Sequence, residues 1–185
     1  LEEMTKEFDL YKVHKAGARF SKEKAEWFNQ QYLQKKSNEE LLDLFKQLPE
    51  VASSTLSDEQ LLTIVSLMKE RATFVKDMYI GGEFFFKAPT SYEEKAAKKA
   101  WGETTSEVIS GLAKTLENVE FNAENLKNAI HDYAEAKSLG MGKVMMPLRL
   151  TLVGELKGPD VPDIMQLIGK EETISRMKNA LEKLS

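Results

Sequence analysis

The sequence lacks cysteine altogether and contains only two histidines, His14 and His131, among its 185 residues. Without thiols the chain cannot build a disulfide framework, a thiolate nucleophile or a cysteine-based zinc site. It also lacks the short motifs that mark phosphate-binding loops, dinucleotide-binding folds, serine hydrolases and zinc proteases. We therefore predict no metal site and no catalytic residue here, because the remaining carboxylates, lysines and serines form no recognisable constellation.

Long apolar runs are absent as well. No stretch approaches the ~18 apolar residues that a transmembrane helix requires, and the opening LEEMTKEF is too polar for a signal peptide. We expect a cytoplasmic chain without a membrane partner, and the start at Leu1 suggests a piece of a longer protein. A length of 185 residues with 42% hydrophobic content predicts one domain or two small ones with a substantial core.

Amphipathic helices separated by capping residues account for nearly the whole sequence, which predicts an all-α fold. Ser21 begins a first helix whose apolar face includes Phe28 and Tyr32. Capping boxes at Ser37 and Ser57 begin two more helices, the second of which is expected to continue unbroken to the glycine pair at 81–82. Because their loops are short, these helices can pack as one bundle.

The helical pattern restarts after the run FFFKAP. A third capping box is predicted at Ser91, and Asn122 is expected to cap a helix that ends at Gly140. Pro147 fits the first turn of a short buried helix over residues 147–154, although a strand also stays possible there. The turn-rich FFFKAP region divides the chain into two predicted helical-bundle subdomains: residues 1–86 and residues 87–185.

The net charge of −4 disfavours a nucleic-acid partner, because phosphate binding depends on lysine and arginine. The acidic groups are nevertheless concentrated in residues 37–70 and 104–136, while the remaining segments are mildly basic. Solvated helix faces explain this asymmetry, and so does a polar channel that receives an RNA loop.

Arginine is scarce, since only four of the 26 basic residues are arginines: Arg19, Arg71, Arg149 and Arg176. A planar guanidinium can form a structural ion pair or contact the carbonyl groups at a helix end. It can also bind the edge of an unpaired base with two hydrogen bonds or stack on its face. Both interpretations stay open from spacing alone.

Several motifs, in this order, resemble the C-terminal part of bacterial glutamyl-tRNA synthetases. The resemblance covers essentially the whole chain and includes FDLYKVHKAGARFSKEKAEWFNQQYL, LMKERATFVKDM, SYEEKAAKKAW, the PLR motif followed by Gly154, and LIGKE. Each motif is weak alone, and their joint order and spacing make the match specific.

The resemblance implies an all-helical anticodon-binding region in two subdomains, in which residues 1–20 or so join a class I catalytic domain that this chain does not contain. The partners implied are the anticodon loop of tRNA(Glu) and that catalytic domain, and the family suggests a monomer. No cofactor is expected in this fragment, whereas the parent enzyme would use ATP and Mg²⁺. The fragment alone should not activate glutamate.

The resemblance also implies roles for individual residues. Arg71 aligns with an arginine that reads the third anticodon base, which is cytosine for glutamate and guanine for glutamine. Arg149 and the turn with Gly158, Pro159 and Val161 align with the readers of the first two bases. Some relatives carry Thr and Leu in place of Gly158 and Val161, so base recognition here would use backbone groups and packing against Pro159. Near the junction, contacts to the tRNA backbone are expected from Lys12 and Lys15.

A helical protein-interaction scaffold without an RNA role is the alternative. Residues 84–86 are three consecutive phenylalanines that would form its docking patch. We favour the other interpretation, in which the same phenylalanines form the interface between the two subdomains.

Overall fold

The computed structural model describes residues 2–9 and 20–184. These two ranges contain twelve α-helices, 3-10 turns at Lys69–Arg71 and Glu83–Phe85, and no β-strand, which confirms the all-α prediction. None of these helices is long and apolar enough to cross a membrane. In chain order the helices are α1 (Glu2–Glu7), α2 (Lys22–Lys35), α3 (Asn38–Phe45), α4 (Pro49–Ala52), α5 (Asp58–Met68), α6 (Val75–Ile80), α7 (Glu94–Ala100), α8 (Thr105–Leu116), α9 (Ala123–Ala136), α10 (Gly142–Val153), α11 (Val161–Ile168) and α12 (Lys170–Leu184).

Three predicted helix starts are confirmed. The Ser21 hydroxyl accepts a hydrogen bond from the backbone N–H of Lys24 at 3.3 Å, at the start of α2. The hydroxyls of Ser37 and Ser57 accept the N–H of the residue three positions later, at 3.1 and 3.2 Å. In both cases the side chain of that later residue accepts the serine N–H in return, so both capping boxes are complete.

The capping box at Ser57 leads to a stability prediction. Replacing Ser57 by alanine is expected to lower the free energy of unfolding by about 1 kcal/mol, because one N–H of the first turn of α5 loses its acceptor. Ser66→Ala is the matched control, since Ser66 is exposed in the middle of the same helix. Urea unfolding followed by circular dichroism measures both, and equal losses would contradict a capping role.

The predicted capping box at Ser91 is wrong. Glu93 is the N-cap residue of α7, and its side chain makes no capping bond. The Glu93 N–H donates instead to the Gly154 carbonyl at 2.8 Å, directly after α10. A Cβ on Gly154 would lie 2.9 Å from the Ser91 carbonyl, and this glycine has a φ of +86°, so the approach requires glycine. The long-range contact therefore replaces the local cap.

The unbroken helix predicted from Ser57 to residues 81–82 is also wrong. The chain leaves α5 through the 3-10 turn Lys69–Arg71, and the Asp77 carboxylate accepts the N–H groups of Thr73 and Phe74 at 3.0 and 2.8 Å to start α6. Two α2 side chains bind the interrupted backbone, namely Gln34 at the Lys69 carbonyl (2.7 Å) and Asn29 at the Thr73 carbonyl. Packing against α2 thus favours a break that the apolar stripe does not predict.

The predictions around Gly140 and Pro147 need correction. Asn122 does cap α9, but the helix ends at Ala136, and Ser138 adopts the left-handed conformation with a φ of 51°. The N–H of Leu139 donates back to the carbonyl five residues earlier at 2.8 Å, which closes the helix before Gly140. The next helix begins at Gly142, so Pro147 lies inside it rather than in its first turn. The helical interpretation is confirmed for residues 147–153, and Gly154 ends the helix in the left-handed conformation.

One apolar core contains residues from both halves of the chain. It includes Phe45 and Met68 from the first half and Leu112 and Ile164 from the second. Phe84 and Phe85 are buried within it, so residues 84–86 do not form an exposed docking patch. The boundary between residues 86 and 87 stays a prediction, and contacts across it are extensive.

Candidate nucleic-acid interface

Arg71 and Arg149 are near enough for their charges to interact, although 78 positions separate them in the sequence. Arg71 ends the 3-10 turn after α5, and Arg149 lies in α10. Burial lowers the pKa of the Arg149 guanidinium, Asp160 raises it, and the positive charge of Arg71 lowers it further. An arginine remains charged under all of these influences, so two positive charges lie within electrostatic range of each other.

Arg71 is exposed, and its guanidinium is fixed at one point. Its Nη1 donates to the carbonyl of Leu67, one turn earlier on α5, at 3.1 Å. An arginine carries five N–H donors, so most of the fork remains available to a ligand. This bond to the preceding helix α5 orients the Arg71 guanidinium and uses only one of its nitrogen atoms.

Arg149 is half-buried and is held by the turn that follows α10. Its Nη1 donates to the Pro159 carbonyl at 2.6 Å and to the Lys157 carbonyl at 3.4 Å. Between them, Gly158 has a φ of +121°, a conformation that side chains rarely adopt. A Cβ there would lie 3.4 Å from both Arg149 Nη1 and Phe84 Cζ. Gly158 therefore lets the backbone wrap around the guanidinium.

Pro159 and Val161, which were predicted to bind the anticodon, are both buried and have different contacts. The Pro159 side chain is buried, and Val161, the first residue of α11, is 0% exposed. In this conformation the Pro159 carbonyl reaches the site, while the Val161 side chain packs in the core. The structure thus places Gly158 against Arg149 and brings the charge of Arg71 within range of Arg149, while Pro159 and Val161 are buried. Lys12 and Lys15 lie outside the described residues.

Two acidic residues that the sequence analysis did not single out belong to this region. Asp160 is exposed immediately before α11, and Asp163 is half-buried in the first helical turn. Burial raises the pKa of the Asp163 carboxyl above its ordinary value, and the negative charge of Asp160 raises it further. In the sequence both resemble acids that complement a helix dipole, so no local signal distinguishes them.

One group of side chains has the composition of a metal site. His131, Asp132 and Glu135 on α9 each offer a ligand atom, and these atoms lie within 4.8 Å of one another in the described part of the chain. All three are exposed, and a closed structural zinc site needs four ligands. We assign no function to this group.

The chain matches the family described as "Anticodon binding domain" over residues 19–181. Among curated proteins, it is 46% identical to the glutamate–tRNA ligase of Flavobacterium johnsoniae and 44% identical to that of Christiangramia forsetii. Both alignments cover all of this chain and 37% of the relative. The chain therefore spans little more than a third of the length of these relatives.

Solved structures agree. A crystal structure of a glutamate tRNA ligase from Elizabethkingia meningosepticum, in complex with its amino acid, matches the whole chain with a TM-score of 0.91 at 62% identity and is covered over 37% of its own length. The glutamate-tRNA synthetase of Elizabethkingia anophelis matches 98% of the chain, and 36% of its own length, with a TM-score of 0.85 at 61% identity. The chain belongs to the glutamate–tRNA ligase family, in which it corresponds to the anticodon-binding domain.

Proposed function

We propose that this chain binds the anticodon loop of tRNA(Glu) and selects that tRNA for glutamylation. Two guanidinium groups that backbone carbonyls hold by one nitrogen each, Arg71 and Arg149, carry the proposal, because their other donors stay available, and family membership supports it. The glutamylation itself would take place in a catalytic domain outside this chain, with ATP and Mg²⁺. We place no catalytic residue among these 185 residues.

Arg71 would read the third anticodon base. Cytosine presents two acceptors, N3 and O2, to the free N–H groups of the guanidinium. Guanine, the third base of a glutamine anticodon, presents the N1–H and N2–H donors, which would face other donors. A desolvated polar group without a partner costs about 1–3 kcal/mol, so this one side chain would separate the two tRNAs.

Arg149 would serve the first two anticodon bases, together with the turn that holds it. The Gly158 backbone is positioned beside the guanidinium, and Pro159 and Val161 support that turn from below. Lys12 and Lys15 would contact the tRNA backbone. An anticodon loop offers few phosphates, so we expect modest affinity with a shallow dependence on salt.

The rest of the ligase would cover the exposed aromatic face of α2. Along this helix, Trp27 is 56%, Phe28 53% and Tyr32 67% exposed, and only Leu33 is buried. The predicted apolar stripe on α2 is therefore buried in the core at Leu33 and largely exposed at its aromatic residues. We propose that it packs against the catalytic part of the same parent protein, in a cytoplasmic monomer.

A binding experiment tests the role of Arg71. The chain is expected to bind a glutamate anticodon stem-loop about tenfold more tightly than the same loop with its third base changed from cytosine to guanine, as measured by filter binding at low salt. Arg71→Gln should largely remove this preference and leave the circular dichroism spectrum unchanged. Lys76→Gln is the matched control, because Lys76 is an exposed cation on the neighbouring α6.

The outcomes separate the alternatives. Equal affinity of the unmodified chain for both loops would contradict base reading by Arg71. Affinity for neither loop above a random hairpin, combined with protein capture that ribonuclease does not affect, would favour the interaction scaffold. An unfolded Arg71→Gln chain would indicate a structural arginine.

A further inference from the structure

The segment that carries Arg71 is held on both sides by side chains of α2. Gln34 Nε2 donates to the carbonyl of Lys69, two residues before Arg71, at 2.7 Å. Asn29 Nδ2 donates to the carbonyl of Thr73, two residues after Arg71. Both amide side chains belong to half-buried residues, so water competes little for these bonds. One helix therefore fixes the backbone on either side of the proposed base reader.

A third bond joins the same two elements in the opposite direction. Lys69 Nζ donates at 2.5 Å to the carbonyl of Lys36, the C-cap residue of α2. The residues that flank the 3-10 turn, Met68 and Ala72, are 2% and 1% exposed. Arg71 is therefore an exposed side chain whose backbone is fixed by buried neighbours and by α2.

The end of α5 also supplies the acceptor for the Arg71 guanidinium. Because α5 ends at Met68, the carbonyl of Leu67 lies in its last turn, where carbonyls lack a partner within the helix. Arg71 Nη1 donates to this carbonyl at 3.1 Å. In a helix that continued unbroken, the Leu67 carbonyl would accept the backbone N–H of Arg71 instead. The bonds from α2 stabilise the break and, with it, the carbonyl that orients the guanidinium.

We infer that Gln34 and Asn29 are positioning residues, which set the specificity for the third anticodon base by holding Arg71. This inference rests on the proposed function and deepens it, because neither residue is required to touch the RNA. Cytosine presents N3 and O2 side by side, so the guanidinium must meet both acceptors in one orientation. A side chain that is already fixed in that orientation loses less freedom when it binds. If the turn were free, binding would have to order it first, and the contact with cytosine would weaken.

Binding of two anticodon stem-loops tests the role of Gln34. The loops are identical except for a third base of cytosine or guanine, and filter binding at low salt measures the ratio of their affinities. We expect about tenfold for the unmodified chain and about threefold or less for Gln34→Met, which keeps the length of the side chain but removes the donor. A mobile Arg71 loses part of its contact with cytosine and can also withdraw from guanine, so both effects lower the ratio.

The ratio separates positioning from a merely structural role. A loss of stability lowers the concentration of folded chain and weakens the binding of both loops by the same factor, so it leaves the ratio unchanged. Only a change at the base reader alters the ratio. Gln31→Met is the matched control, because it makes the same substitution at an exposed glutamine of α2. This variant should keep the full preference for cytosine.

A second comparison shows whether Gln34 acts through Arg71. In a chain that already carries Arg71→Gln, adding Gln34→Met should leave the ratio of the two affinities unchanged, since the group that Gln34 positions is gone. Asn29→Leu removes the bond at Thr73 and is expected to lower the ratio in the same way. It takes the place of Gln34→Met if circular dichroism shows that the methionine variant does not fold.

Failure of this inference and failure of the proposed function give different results. If the unmodified chain prefers cytosine and Arg71→Gln does not, while a folded Gln34→Met keeps the full preference, the positioning role is overturned and base reading by Arg71 stands. The positioning role is also overturned if Gln31→Met lowers the ratio as much as Gln34→Met, or if Gln34→Met changes the ratio in the Arg71→Gln chain. If the unmodified chain binds both loops equally, base reading by Arg71 fails and the inference fails with it.

Discussion

Replacing Arg176 by methionine is expected to lower the free energy of unfolding by about 3 kcal/mol. Arg176 is only 3% exposed, and its Nη1 donates to the carbonyls of Phe84 at 2.7 Å and Leu152 at 2.8 Å. Leu152 lies in the last turn of α10, where carbonyls have no helical partner. Methionine has a similar length but no donor, so two buried carbonyls would each lose about 1–3 kcal/mol of stabilisation.

The neighbouring carboxylate supplies the control for Arg176. The Nε of Arg176 donates to the Glu172 carboxylate at 2.7 Å, and the Glu172 side chain is 41% exposed. Glu172→Gln keeps the arginine, both carbonyl bonds and an amide oxygen that can accept from Nε, so it should destabilise the chain less than methionine does. Urea unfolding of both variants decides the matter. A methionine variant as stable as the unmodified chain would show that these bonds do not join the two halves.

The sequence predicts the helix starts that are decided locally. Ser21, Ser37 and Ser57 cap their helices because the partner of each lies three residues away. Prediction from the sequence fails where contacts with a distant helix determine the helix boundary. The helix expected to reach residues 81–82 is interrupted because Asn29 and Gln34 of α2 bind the backbone after α5, and no periodicity in that segment records those contacts.

The same distinction applies to the candidate site. The scarcity of arginine draws attention to Arg71 and Arg149, but only the fold brings their charges within range of each other. Asp163 escapes sequence analysis because an acid in a first helical turn is ordinary there. Its half-buried position between α5 and α11 depends on packing between the two halves of the chain. A single sequence thus does not show which residues the fold brings together from opposite halves of the chain.

Replacing Arg149 by lysine is expected to weaken binding of a glutamate anticodon stem-loop by about 10- to 100-fold, the range for a lost bidentate base contact. Nη1 of Arg149 is engaged by the carbonyls of Pro159 and Lys157. The remainder of the guanidinium fork can bind a base at the same time. An ammonium group is a compact point charge. A lysine could therefore donate to the Pro159 and Lys157 carbonyls or reach the base, but not both.

Charge alone cannot explain such a loss, because Arg149→Lys leaves the net charge of −4 unchanged. The salt dependence of binding should therefore stay the same while the affinity falls. Lys157→Ala is the control for charge, because it removes an 83% exposed cation from the same turn. It should weaken binding only a few-fold and lower the slope of log affinity against log salt concentration by up to about one. Fluorescence anisotropy with a labelled stem-loop, at several salt concentrations, separates the two patterns. If Arg149→Lys instead lost salt dependence, or bound like the unmodified chain, the guanidinium would be an electrostatic contact rather than a reader of bases.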